Sequence, residues 1–267
     1  MGNFIGYIIK GVAAFRQLRS GAGAFELITT ATVAADQVAD AYTQSTYNQA
    51  QAADVLRASL EKLAMAYQDV AMAGAGGPPP PTGGGMMDSH IYKKAANRLP
   101  AMAGITVVRF NTRGTTSEAG TSTGSYDNGR AEKYDVEAML RYCFDVLELK
   151  ELWVVGWSFG TSIAISHARD SRIKGLILLS PTLLDIVDGD LEFWASDGRP
   201  ITALIPEHDD YLKPDQAAER FAVIPQIKLI PVTGAKHLWV GEPMVHRVLS
   251  EITQIVAPAR LPLPTEI

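Results

Sequence analysis

Three positions in this chain carry side chains that could act together on a carbonyl carbon. They are Ser158 in Gly156-Trp157-Ser158-Phe159-Gly160, the acidic pair Asp209-Asp210, and His237 in Gly234-Ala235-Lys236-His237. A serine hydroxyl is a weak nucleophile at neutral pH, so it needs an imidazole to take its proton and a carboxylate to orient that imidazole. The chemistry this set would support is attack by Ser158 with proton transfer to His237. Each candidate also follows an apolar run: Leu152–Val155 before Ser158, Ile201–Ile205 before the acidic pair, and Ile227–Val232 before His237.

Those runs must be strands for the side chains to meet. Residues 152–168 read as strand, sharp turn and helix, with a serine at the turn. In a G-x-S-x-G of this setting the glycines allow a strained turn with close strand-helix packing, and the hydroxyl is left exposed. Further along, the pattern alternates. It predicts a helix capped by Asp88 or Ser89 and running to about Leu99, a strand over 105–110, and a helix over 130–149 with Val136, Leu140, Cys143 and Leu147 on one face. Helix 159–168, strand 175–179 and helix 243–256 complete it. Such alternation predicts an α/β fold with a mostly parallel sheet and helices on both faces, whose chemistry gathers at the carboxyl ends of the strands.

Composition narrows the function classes. The chain has 267 residues, 47% of them hydrophobic, enough for a full core. A net charge of -5, with Lys and Arg scattered, argues against a nucleic-acid partner. Cys143 is the only cysteine, which excludes an internal disulfide and a cysteine-based zinc site, and its place on an apolar helix face makes it a core thiol. No metal or cofactor motif is present. The apolar stretch Phe4–Phe15 is interrupted by Lys10, followed by Arg16 and Arg19, and lacks a small-residue cleavage site. A cytoplasmic location is therefore expected, and membrane contact is not.

The chain changes character near residue 75. Residues 25–70 contain neither Pro nor Gly, and Val55, Leu56, Leu60, Leu63, Tyr67 and Val70 recur at helical spacing. Residues 1–74 are expected to be a helical segment offering a surface for packing or for a homo-oligomer. Pro78–Pro81 between glycine clusters marks residues 75–85 as a linker or loop. Residues 86–267 form the α/β domain.

From about residue 84 the sequence resembles the α/β-hydrolase superfamily, in particular its small bacterial serine hydrolases and esterases. The resemblance rests on Phe110-Asn111-Thr112-Arg113-Gly114, Gly124-Ser125-Tyr126-Asp127-Asn128-Gly129, the turn at Ser158, the run from Leu204 to Asp210, and Gly234 to His237. It implies a hydrolase of carboxylic esters or thioesters, acting on a small-molecule ester without a cofactor or metal. Ser158 would be the nucleophile, His237 the base and Asp209 the acid, with the Phe159 N–H as an oxyanion donor. Asp210 competes for the role of acid, since it stands four residues before Pro214, a spacing common in the family. Asp209 is favoured.

Other residues have assignments too. Trp157, Leu183, Trp194, Leu238 and Trp239, near strand ends, are expected to line an apolar substrate pocket. Arg113 should pair with Glu132 or Asp135, and His90, His167 and His246 should be surface or packing residues. The family's opening strands are absent or unrecognisable here, with Val70–Ala73 at best a remnant. A second oxyanion donor would fall near Pro80, which has no N–H to give. The second hypothesis is therefore a weakly active or idle hydrolase-like scaffold that self-associates through its N-terminal helices.

Overall fold

The computed structural model describes residues 69–73, 85–117 and 120–265. In chain order the elements are strand β1 (Asp69–Ala73), helix α1 (His90–Ala103), β2 (Ile105–Arg109), the short strands β3 (Thr116–Ser117) and β4 (Gly120–Thr121), and α2 (Lys133–Arg141). A π-helical turn at Tyr142–Val146 ends α2. Then come β5 (Leu152–Trp157), α3 (Phe159–His167), β6 (Gly175–Leu179), α4 (Asp190–Asp197), β7 (Ile201–His208), α5 (Pro214–Arg220), β8 (Ile227–Lys236) and α6 (Glu242–Val256).

Six strands form one sheet in the order β2-β1-β5-β6-β7-β8, and every pairing is parallel. Both faces are covered, which is why the central strands read as continuous apolar runs. On β6, Leu176 and Leu178 join one core cluster while Ile177 and Leu179 join the other. The same alternation runs along β5, with Leu152 and Val154 on one face and Val155 and Trp157 on the opposite one. Helices α2, α3, α4 and α5 supply Val136, Ile163, Trp194 and Ala217 to the first cluster; α1 and α6 supply Leu99 and Val248 to the second. Each such side chain contributes on the order of 2 kcal/mol of burial.

Strand β1 corrects an expectation. Asp69–Ala73 belongs to the sheet, hydrogen-bonded to β2 on one side and to β5 on the other, where the sequence reading allowed only the end of a helical segment and a remnant strand. A five-residue run is too short for its periodicity to separate strand from helix, and its two neighbours decide the matter. The compact unit that holds the sheet accordingly begins at Asp69. Residues 1–68 and the Pro/Gly stretch 74–84, including Pro80, lie outside the described residues. So the expected helical segment, its self-association and the proline at the oxyanion position have no structural account.

Connectivity explains where a site can form. From β1 the chain steps outward to β2, then returns across β1 to β5, so the order reverses between β1 and β5. Such a reversal opens a crevice at the carboxyl ends of the strands, because the connections on its two sides leave in opposite directions. The residue that follows β5 is Ser158.

Candidate active site

Ser158 sits in the turn from β5 into α3 with φ 54° and ψ -118°. A side chain in this region carries backbone strain, which persists only where the surroundings fix it. Here the Ser158 N–H donates to the Leu179 carbonyl (2.9 Å), and the Ser158 carbonyl accepts from the Thr161 N–H (2.9 Å) and hydroxyl (2.6 Å). Strand and helix approach so closely that a Cβ on Gly156 would lie 2.4 Å from the Gly160 carbonyl oxygen. Only glycine fits there, which is the physical content of the first glycine of the pentapeptide.

The acidic and basic residues arrive on a second structure. β7 and β8 stay paired beyond the body of the sheet, past an irregularity between Pro206 and His208, to the pair His208↔Lys236. The next residue on each strand is Asp209 and His237. Their side chains meet: His237 Nδ1 lies 2.8 Å from Asp209 Oδ2, and His237 Nε2 lies 2.8 Å from Ser158 Oγ. All three residues are buried. Asp209 Oδ1 accepts the N–H groups of Tyr211 (2.8 Å) and Leu212 (3.3 Å), so the carboxylate is fixed from both sides. Asp210, the competing acid, is exposed and outside this set.

The backbone of His237 is held as firmly as its ring. Its carbonyl accepts from Trp157 Nε1 (3.1 Å) and from the Ser180 hydroxyl (3.0 Å), and the next carbonyl, of Leu238, bonds His90 Nε2 at 2.7 Å. Trp157 is the last residue of β5 before the turn, so the two halves of the site are tied together by one indole. Tyr211 lies against the imidazole of His237, with ring centroids 4.6 Å apart and planes at 49°.

Several expected pocket residues are elsewhere. Trp194 is wholly inside the first core cluster, donating its indole N–H to the Ile165 carbonyl (2.8 Å) beneath the Arg199 guanidinium. Trp157 and Trp239 are fully buried in the second, and Trp157 packs edge-on against His90 and Tyr92. Indole rings that are already packed have no face left for a ligand, so these three are support and not lining. Leu183 is buried in the first core cluster, with φ 55°, while Leu238 is exposed at the rim beside His237. The exposed Leu184, Val187, Tyr211 and Val240 also lie on the loops that follow β6, β7 and β8. The sequence reading missed Tyr211 and Ser180. A polar residue directly after an apolar strand was the available signal for Ser180.

Phe159 opens α3, and its ring meets Tyr126 edge-on at 5.5 Å. Tyr126, Asp185 and the buried Glu132 form an acidic neighbourhood beside that helix. Burial, then the Glu132 charge, raises the Asp185 carboxyl above its ordinary value; burial, then Asp185 and Glu132, raises the Tyr126 phenol. Arg113 takes Asp135 with two guanidinium bonds of 3.1 Å and one backbone bond of 2.9 Å, which pins the loop after β2 to α2. His167 bonds the Gly129 carbonyl and His246 the Leu263 carbonyl. Cys143 is buried, and burial pushes its thiol up to about 11. Among the described residues no helix is long and apolar enough to cross a membrane, and no group of three or more His, Cys, Asp or Glu could hold a metal ion.

No protein-family model matches the sequence, and no curated protein matches it significantly. The fold has clear relatives among solved structures. An α/β serine hydrolase homologue from Coxiella burnetii is 23% identical with a TM-score of 0.57, over 71% of this chain and 86% of that one. A protein from Xanthomonas campestris, described as an α/β serine hydrolase without a lid, is 25% identical with a TM-score of 0.56, over 74% and 84%. An esterase from Pyrococcus furiosus is 18% identical with a TM-score of 0.53, over 71% and 84%. The chain has the α/β-hydrolase fold.

Proposed function

We propose that this protein is a serine hydrolase that cleaves carboxylic esters, thioesters included, through an acyl-enzyme. One observation carries the proposal: the unbroken chain of 2.8 Å contacts from Ser158 Oγ to His237 Nε2 and from His237 Nδ1 to Asp209 Oδ2. Ser158 Oγ attacks the ester carbonyl as its proton passes to His237 Nε2. The imidazolium is stabilised and oriented by Asp209, which stays ionised. The carbonyl oxygen becomes an oxyanion beside the Phe159 N–H at the start of α3, where a helix-terminal backbone donor and the helix dipole both favour negative charge. His237 then gives the proton to the leaving alcohol or thiol. In the second half a water, deprotonated by His237, attacks the acyl-serine, and the acid and free Ser158 result.

Three further observations support the reading. The strained backbone at Ser158 is what a hydroxyl presented at a strand end requires, and strain of this kind concentrates at functional sites. The relatives of the fold include proteins named as serine hydrolases and esterases. The exposed Leu184, Val187 and Val240, on the loops after β6 and β8, suit an ester with an apolar arm. The same reading makes the protein independent of any cofactor.

Labelling with a fluorophosphonate serine probe, read by intact mass, tests the proposal. The parent should gain one adduct and Ser158→Ala none. A parent that gains no adduct overturns the enzyme reading; an adduct that survives in Ser158→Ala overturns the assignment of Ser158.

A further inference from the structure

We propose that Tyr211 is a positioning residue that holds the imidazole of His237 in its working orientation and shields the His237–Asp209 hydrogen bond from water. The inference rests on the reading of His237 as the general base. Tyr211 is 53% exposed, yet the residues on either side of its turn, Asp209 and Leu212, are buried. An aromatic ring left half in water gains little from burial, so its position is set by what it covers. What it covers is the imidazole, at a centroid distance of 4.6 Å.

Its backbone is anchored by the same group that orients the imidazole. The Tyr211 N–H donates to Asp209 Oδ1 while Asp209 Oδ2 holds His237 Nδ1, so the carboxylate fixes the ring and its cover as one unit. Ser158 bonds the opposite edge of the imidazole at Nε2. Rotation of the ring about its Cβ–Cγ bond would break both in-plane hydrogen bonds, and Tyr211, packed against the ring, adds a contact that such a rotation would also lose. A second contribution arises in the reaction itself. When His237 becomes an imidazolium, the π face of Tyr211 attracts it, an effect worth roughly two- to fivefold in rate at a partly exposed site. Neither effect needs the phenol oxygen, so Phe should serve as well as Tyr.

The test is a series at this one position, assayed with a soluble p-nitrophenyl ester and by proton NMR of the far-downfield His237 Nδ1–H. Tyr211→Ala should lower kcat about tenfold with KM within about twofold, because substrate binding is untouched. Tyr211→Phe and Tyr211→Trp should keep kcat within about twofold of the parent, and Tyr211→Leu, which covers the ring without π electrons, should fall between. The downfield resonance should be sharp in the parent and Tyr211→Phe, and broadened by water exchange in Tyr211→Ala. Thermal melts establish that each variant is folded. Parent kcat and a sharp resonance in Tyr211→Ala would overturn the proposal. So would a raised KM at parent kcat, which would make the ring a substrate contact. If the parent cleaves no ester but the resonance responds as described, the ester reading fails and the positioning role stands.

Discussion

The two halves of the site are built by opposite means. Ser158 is presented by a local device: a strand, a turn that only glycine permits at Gly156, and a helix, all within residues 152–167. Asp209 and His237 are presented by a long-range one, two strands that remain paired beyond the sheet until their last residues lie side by side. The local half stores strain and holds it with hydrogen bonds to its own neighbours and to Leu179. The distant half depends on bonds from outside it, those of Trp157, Ser180 and His90 to the backbone at His237 and Leu238. Reactivity placed by strain should be sensitive to volume, and reactivity placed by pairing should be sensitive to lost hydrogen bonds.

The largest expected effect strikes the distant half. Asp209→Asn should lower kcat about 10⁴-fold with the fold intact, because the amide favours the wrong imidazole tautomer. Asp210→Asn should leave kcat within about twofold, since Asp210 faces solvent. Steady-state kinetics on the two variants decides which acidic residue works, and equal losses would dissolve the assignment.

Next comes the local half. Gly156→Ala puts a methyl group 2.4 Å from the Gly160 carbonyl oxygen and should cost about 2–3 kcal/mol of stability, read by denaturant titration, with probe labelling of Ser158 lost in step. A variant as stable and as reactive as the parent would show that strand and helix can part without harm.

The smallest effect tests the link between the halves. Ser180→Ala removes one of two donors to the His237 carbonyl and should reduce kcat about fivefold, in line with the ~1 kcal/mol of an ordinary hydrogen bond. A loss as large as that of Asp209→Asn would mean that the two halves are not separable.

Legibility in the sequence followed the same division. Gly175–Leu179 was bounded correctly because a strand buried on both faces needs apolar residues at every position, a pattern that survives without knowledge of neighbours. The turn at Ser158 was legible for a similar reason, since its glycines answer to the chain within a few residues. Strand β1 was not legible. Asp-Val-Ala-Met-Ala fits a short helix turn as well as a strand, and only pairing with β2 and β5 distinguishes them. The tryptophans mislead in another way. Trp157, Trp194 and Trp239 stand near strand ends in the sequence, where a ligand would also be, and nothing in their spacing tells a packed indole from a lining one.

By itself the sequence determined the elements that local physics controls: the parallel α/β pattern, the serine in its strained turn, and an acidic pair and a histidine at the ends of two later strands. The tertiary structure alone decided that Asp209 and not Asp210 meets His237, that Trp157 donates to the histidine's carbonyl, and that Tyr211 lies against its ring. Adjacent residues on an extended chain point to opposite sides, so which of them reaches a partner 28 residues away depends on the register of β7 against β8, which no local pattern encodes.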